Sequence, residues 1–510
     1  MTQESVIRIK KILDEKRSLD HAITLLHWDL ETEAPIMGVN KISKTIGYLS
    51  GESYSKVINE EFKKLIIGLN VDELTKLQKK EIEEIKEEYF DKLDKIPKKD
   101  YEDYSKLTVI ATKKWEEAKA NNDFDVFKDY LRQIINYNKK FIVYRNIDKN
   151  PYNILLDDYE KGITTDTLDI FFQKIKTDLS PFIKSILSVE LDEEVKSKMR
   201  TFNELSFDIE KQRQFSRYIA KLIGFNFDMG VIKESEHPFT LNFNNKDVRI
   251  TTHYYEKNIL SSIFSTIHEC GHAIYEQQID DSISDTILGE GTSMGIHESQ
   301  SRLFENMFGR NFNFWKKVYI KFDELFNIKT NGIEVSDFYK IINIVNRSLI
   351  RIEADELTYP IHIMIRYELE KEIFSNLDEI ENTDYIDYLA AKWSDLYEEF
   401  LGVRPKTYSE GILQDVHWSS GLFGYFPSYA LGSAYAAQIY QAMNKYINVD
   451  ECLLNLDFTK INEFLKDKIH RFGKSKTPNE ILFIATDEEF NSDYYIDYLK
   501  NKYVKIYGLN

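Results

Sequence analysis

The sequence predicts a mainly α-helical protein that carries one small β-sheet. Three observations lead there. Only 9 prolines and 20 glycines punctuate 510 residues, so strong helix breakers are scarce. Apolar residues recur at helical spacing over most of the chain. One stretch, 225–254, departs from that spacing and alternates instead.

In chain order, helical patterning covers residues 4–20, about 40–95 and 101–146, with short breaks. "NIDKNPYNILLDDYEKGIT" (146–164) holds turn residues and Pro151, which predicts a connection. Helical patterning resumes over about 165–222. Within 225–254, "HPFTLNF" and "DVRITTHY" flank "NNK" and predict a hairpin or short meander. In the second strand Asp247, Arg249, Thr251 and His253 share one face, while Val248, Ile250 and Thr252 share the other. The polar face suggests a half-exposed edge strand. Helices are then expected at about 258–280, 290–308, 335–380, 384–400, 428–446 and 478–485. No internal repeat or Ser/Gly linker divides the chain. The reading is one helical body, two lobes about a cleft, with a minor sheet.

Bulk properties narrow the function. Hydrophobic residues are 42% and aromatics 14%, enough for a large interior. The formal net charge of −18 disfavours nucleic-acid binding, since an acidic surface repels phosphates. The mixed run "KLQKKEIEEIKEEYFDKLDKIPKKD" (76–100) alternates sign and reads as a solvated helix face. "GLFGYFPSYALGSAYAAQIY" (421–440) has 20 residues without a charge, but its Pro, three Gly and four Tyr argue against a membrane span. A buried, site-lining segment is expected there. The two cysteines, Cys270 and Cys452, imply no disulfide framework, and "MTQESVIRIKK" lacks an apolar signal core. A cytoplasmic setting follows.

The chemistry centres on "SSIFSTIHECGHAIYEQQ" (261–278). On a helix, His268 and His272 lie four apart on one face, offset by about 40°, and can grip one ion. Glu269 lies about 100° around from His268, beside the site. There it can act on a water as general base without ligating the metal. Cys270 points away. The alternative, two ordinary histidines, is weaker: 10 His in the chain make this triplet rare by chance, and the preceding helix is apolar. A structural metal would be closed by four protein ligands, often cysteines, which argues against a non-enzymatic scaffold.

A third ligand is required. No further histidine follows at metzincin spacing, so a glutamate is expected. Candidates are Glu276, Glu290, Glu298 and Glu305. Glu276 sits one turn on along the same helix, and Glu290 lies in a Gly-flanked turn. Glu298, 26 positions beyond His272 (298 − 272), fits a returning antiparallel helix. Glu305 is the alternative two turns later.

These motifs carry a family resemblance. His237-Pro238-Phe239, "DVRIT" (247–251), "HECGH" (268–272), "HESQ" (297–300), "IRIEAD" (350–355) and "GILQDVHW" (411–418) stand in the order found in the thermostable carboxypeptidase 1 (Taq-type) zinc metallocarboxypeptidases. The chain resembles that family along nearly its whole length. "LLHWDLETEAPIMG" (25–38) and "GYFPSYALG" (424–432) are similar too.

The resemblance implies one metallocarboxypeptidase domain over 1–510, with a helical, two-lobed, saddle-like, neurolysin-like fold and a deep groove. It implies one Zn2+ per chain on His268, His272 and Glu298, with Glu269 as general base. Co2+ or Mn2+ would suit the same donors. It implies removal of single residues from peptides with a free C-terminus, with broad specificity, and a homodimer. Neither a nucleic acid nor a membrane is an expected partner. His417 and Tyr429 resemble the oxyanion-stabilising pair of related helical zinc oligopeptidases, with Tyr425 in competition. Asp415 is a candidate acceptor that would orient a nearby histidine.

Exopeptidase action also needs a cation for the substrate carboxylate, which a planar guanidinium fork suits. Arg351 is the first choice; an intrahelical pair with Asp355 is its ordinary alternative. Arg249, with Asp247 on the same strand face, is the second, on a strand that could extend a peptide by main-chain pairing. His237, in a rigid His-Pro pair, is a third substrate contact. An endo-oligopeptidase of the same zinc class is the rival activity, separable by whether an amidated C-terminus is cleaved equally.

Overall fold

A computed structural model describes residues 2–145 and 150–509. The described chain is mostly helical with one three-stranded sheet, and it divides into two units.

The first unit comprises Met1–Lys95, Phe207–Thr292 and Asn462–Lys476. It opens with an antiparallel pair, Thr2–Thr32 and Val39–Val57. Its sheet holds β1 (Ile232–Glu234), β2 (Thr240–Asn244) and β3 (Asp247–Thr252) in the order β1-β3-β2. The hairpin expected about "NNK" is present, with Leu241 opposite Arg249 and Asn242 opposite Val248. Asn245 at the turn is buried and donates to the Ile279 carbonyl at 2.9 Å.

The edge-strand expectation fails. β3 is central, because β1 pairs with it in parallel on its other side, Ile232 opposite Ile250. Its polar face is partly buried and paired within the protein. Thr251 is fully buried, accepts from Phe239 N at 3.0 Å and receives the Ser235 hydroxyl at 2.7 Å, while Asp247 pairs with Arg249. The free strand edges belong to β1 and β2. Sequence spacing could not reveal a parallel partner 18 residues upstream (250 − 232).

Against this sheet packs the histidine helix, Ile259–Gln277. Asn258 caps it by accepting from Ser261 N. Ile263, Ile267, Ala273 and Ile274 are almost fully buried, and each isoleucine contributes about 1.5–3 kcal/mol by burial. Polar residues on this helix are tied to Ile209–Ile223: Ser262 donates to Gln212 at 2.8 Å and Thr266 to Ser216 at 3.1 Å.

The second unit comprises Ile96–Ser206, Ser293–Ile461 and Thr477–Asn510. The charge-free segment forms the helix Phe426–Met443, buried on nearly all sides, and among the described residues no helix is long and apolar enough to cross a membrane. It packs on Met294–Arg302, Tyr359–Ile373 and Asp493–Tyr507. The absence of charge over 421–440 is explained by this position: no face of the helix is free to hydrate one. Gly432 lets Met294–Arg302 approach closely, since a Cβ there would stand 2.5 Å from the Glu298 Cβ.

Two expectations are revised. Of the predicted connection 146–164, residues 146–149 lie outside the described residues, and the rest includes a short helix, Pro151–Leu156. Asn150 caps it and Pro151 occupies its first turn, where a missing N–H costs nothing. The helix expected over 335–380 is interrupted. Val335–Ile341 and Tyr359–Ile373 are separate, with a single 3-10 turn, Arg351–Glu353, between them. Asp355 causes part of the break: its carboxylate accepts from the backbone of Asn346, Leu357 and Thr358, and so replaces helical bonds.

Candidate active site

The histidine helix presents His268 and His272 with ring centroids 5.0 Å apart and planes at 81°. Both are half-buried. Glu269 is buried and accepts the Thr240 hydroxyl at 2.6 Å, a contact from β2 that fixes its carboxylate. Cys270 points into the core, fully buried, and burial pushes its thiol well above the ordinary range. It is no ligand in this geometry, as spacing predicted.

Glu298 lies on Met294–Arg302. Ser293 caps this helix through Ile296 N at 3.1 Å, and the buried Glu160 accepts from Gly295 N at 2.8 Å. Glu298 accepts from Arg302 Nε at 2.7 Å and Ser301 Oγ at 3.4 Å. One ligand atom each from His268, His272 and Glu298 lie within 4.8 Å of one another. Two imidazoles and one carboxylate are a donor set that suits a divalent ion and leaves a coordination position open. The residues therefore fit a metal.

The other glutamates have different roles. Glu276 accepts from Asn242 at 2.6 Å and from Gly291 N at 3.0 Å. Glu290 is exposed and pairs with Lys474 at 2.8 Å. Glu305 pairs with Arg302 at 3.2 Å and Arg310 at 3.4 Å.

His417 is buried in the turns after residue 411, and its Nε2 lies 3.1 Å from the Tyr429 hydroxyl. Burial, reinforced by Arg351 and Arg366 and opposed by Asp415, pulls its pKa down to about 4. The ring is thus neutral near pH 7. The Tyr425 ring lies beside both, tilted to His417 at a centroid distance of 5.4 Å and edge-on to Tyr429 at 5.1 Å.

Arg351 does not pair with Asp355. It is 7% exposed; its Nε donates to Asp415 Oδ1 at 3.0 Å and its Nη1 to the Tyr359 hydroxyl at 3.2 Å. Asp415 pairs with arginines rather than orienting a histidine. Burial alone would raise its pKa, but Arg366 and then Arg351 outweigh that and hold the carboxyl below its ordinary range.

Arg249 is engaged by Asp247 through both nitrogens of its side, at 2.8 and 2.7 Å, and lies 4.4 Å over the Phe243 ring and 5.6 Å over Trp28. His237 is exposed in the loop before β2, where its carbonyl accepts from Ser235 at 2.6 Å.

Sequence reading missed Arg366 and Glu370. Glu370 is fully buried and accepts from Tyr152 at 2.7 Å, Trp418 at 2.6 Å and Gly424 N at 2.7 Å. It ties down both ends of the loop that follows His417, and burial pushes it up to about 7. The available signal was Arg366 closing the apolar opening of "YPIHIMIRYELEKEI", with Glu370 four residues on along the same face.

Comparisons with known proteins agree on one family. Residues 8–503 match the family described as carboxypeptidase Taq (M32) metallopeptidase. The chain is 43% identical to carboxypeptidase 1 of Bacillus subtilis over 509 residues, 98% of this chain and 99% of that one. It is 35% identical to thermostable carboxypeptidase 1 of Pyrococcus furiosus over 501 residues, 97% and 98% of the two chains. A crystal structure of an M32 carboxypeptidase from Deinococcus radiodurans R1 superposes with a TM-score of 0.92 at 28% identity, covering 99% of this chain and all of that one (100%).

Proposed function

The chain belongs to the carboxypeptidase Taq (M32) metallopeptidase family, and from that premise we propose how its residues divide the reaction. It is a metal-dependent carboxypeptidase, a hydrolase of peptide bonds. The finer assignment is this: one zinc ion per chain is held by His268, His272 and Glu298, with cobalt or manganese able to replace it. The grouping of those three ligands beside a buried Glu269 is the observation that carries this reading.

A bound divalent ion supplies Lewis acidity to the scissile carbonyl and to the attacking water. Glu269, oriented by Thr240, takes the proton of that water and delivers it to the leaving amine. Tyr429 and the neutral His417 donate to the developing oxyanion, with Tyr425 buttressing the pair. Donation by His417 requires the proton on the nitrogen facing substrate, which a ring of low pKa can keep without carrying charge.

Arg351 reads the free C-terminal carboxylate. Support comes from its place in a cluster with more cations than anions. Arg249 is weaker, because Asp247 already occupies its fork. With Asp247 and His237 it belongs to the surroundings of the peptide rather than to its terminus. The substrates are peptides with a free C-terminus, of broad sequence. A cytoplasmic homodimer completes the reading, supported by the resemblance and by cysteine usage.

The test combines metal analysis with product mapping. Native protein should hold one ion per chain and release single C-terminal residues. Glu269→Gln should keep the ion while turnover falls by roughly 10²–10⁴-fold. Retained turnover in that variant would refute the base assignment. Equal cleavage of free and amidated peptides would favour an endo-oligopeptidase instead.

A further inference from the structure

The helix Tyr359–Ile373 carries Tyr359, His362, Arg366 and Glu370 along one face, at i, i+3, i+7 and i+11. All four are buried. Arg366 has 0% exposure, as do His362 and Glu370. Its guanidinium lies 4.4 Å over Trp393 and 5.3 Å over Phe426, and no substrate can reach it there. Its Nη1 donates to the His362 carbonyl at 2.6 Å and to the Tyr397 hydroxyl at 3.1 Å.

Its other side meets Asp415. Nε donates to Oδ2 at 2.7 Å, and Nη2 stands 2.6 Å from the same oxygen as an ion-pair contact rather than an aligned hydrogen bond. The second oxygen, Oδ1, goes to Arg351: Nε at 3.0 Å and Nη2 at 2.9 Å. One carboxylate is therefore divided between two guanidiniums, one oxygen to each. An aspartate that faces a single arginine can close with both oxygens on one fork, as Asp247 does on Arg249.

Among the described residues, the neighbours supply no second anion in contact. Tyr359 and Tyr397 offer hydroxyls. His362 and His417 are held neutral by burial and by these arginines. Glu370, one turn beyond Arg366, is committed to Tyr152, Trp418 and Gly424. Two cations thus share one directly bonded anion, and Arg351 is the member with residual exposure, 7% against 0%.

We propose that Arg366 is a positioning residue for terminus recognition: by holding one oxygen of Asp415, it stops that aspartate from closing on the fork of Arg351. Without Arg366, Asp415 can turn its second oxygen to Arg351 and neutralise the group that meets the substrate. This inference rests on the reading that Arg351 binds the peptide carboxylate.

The test is steady-state kinetics on one peptide, as free acid and as amide, for the native enzyme, Arg351→Met, Arg366→Met, Arg366→Lys and Arg366→Met/Asp415→Asn. Arg366→Met should raise KM for the free acid by about tenfold or more, the scale of a lost charge-assisted contact, with kcat and metal content little changed. The amide's slow cleavage should not move. Arg366→Lys should recover part of the loss. The double variant should be no worse than Arg366→Met alone, because both act through one carboxylate.

Equal changes for acid and amide, or additive losses in the double variant, would overturn the proposal. If Arg366→Met does not fold, Arg366→Lys decides: an unchanged KM for the free acid overturns it. If Arg351→Met leaves that KM unchanged, the reading of Arg351 fails and the inference falls with it. If Arg351→Met raises KM and the Arg366 variants do not, only the role of Arg366 is wrong.

Discussion

The arginine–aspartate pair on β3 and the arginine cluster around Asp415 differ in how their charges balance. On β3, Arg249 and Asp247 form a one-to-one pair, partly exposed, with side chains 22% and 32% accessible. Around Asp415, two buried arginines share one carboxylate, with Arg351 and Asp415 side chains each 8% accessible. The first arrangement is satisfied as it stands. The second keeps a cation whose fork is only partly used. A residue type that recognises carboxylates is therefore not sufficient; the stoichiometry of its neighbours decides whether it is free to do so.

Removing the anion in each region should separate them most. Asp415→Asn leaves two buried guanidiniums facing each other and should cost about 3–5 kcal/mol of stability, read as a lowered denaturant midpoint. Asp247→Asn breaks a partly exposed pair and should cost about 1 kcal/mol or less. Similar losses would erase the distinction between the two regions.

Removing the cation tests function instead. Arg351→Met should lower kcat/KM for a free-acid peptide by about 30-fold or more, chiefly through KM, the scale of a buried charged contact. The matching Arg249→Met change should stay within about threefold, since its charge is already paired. A larger effect at Arg249 would move the carboxylate site to the sheet.

A third prediction concerns pH. The folded pKa of His417 is depressed to about 4, against an ordinary value of 6.5. Below pH 6.5 the unfolded chain takes up a proton that the folded chain refuses, so stability falls as pH drops from 6.5 towards 4. The whole window is worth about 3 kcal/mol. His417→Gln should flatten the pH dependence of Tm over that range. An unchanged slope would mean that burial and the two arginines do not depress this ring as described.

The smallest effect should come from Thr240→Val, which removes the hydroxyl that orients Glu269 from β2. It should lower kcat by about fivefold through one lost hydrogen bond, with metal content unchanged.

Legibility in the sequence followed locality. His268 and His272 sit four residues apart, so one helical turn brings them together and the sequence shows it. The hairpin about Asn244–Lys246 and the buried, charge-free helix were legible for the same reason: their signals lie within one element. The central place of β3 was not, because β1 pairs with it across an intervening strand and carries only three residues. The break before Tyr359 depended on Asp355 capturing backbone N–H groups, which apolar spacing does not record. Arg366 and Glu370 were invisible as functional residues, because their meaning lies in partners 49 and 48 positions away, Asp415 and Trp418. Asp415 itself was noticed, but spacing suggested a histidine as its partner and packing supplied two arginines.

The most direct measurement of the central claim is kcat/KM for one peptide, as free acid and as C-terminal amide, in metal-loaded native enzyme and in Arg351→Met. The account predicts a strong preference of the native enzyme for the free acid, about 30-fold or more, and loss of that preference in the variant. Equal cleavage of acid and amide by the native enzyme, or a preference that survives in Arg351→Met, would contradict it.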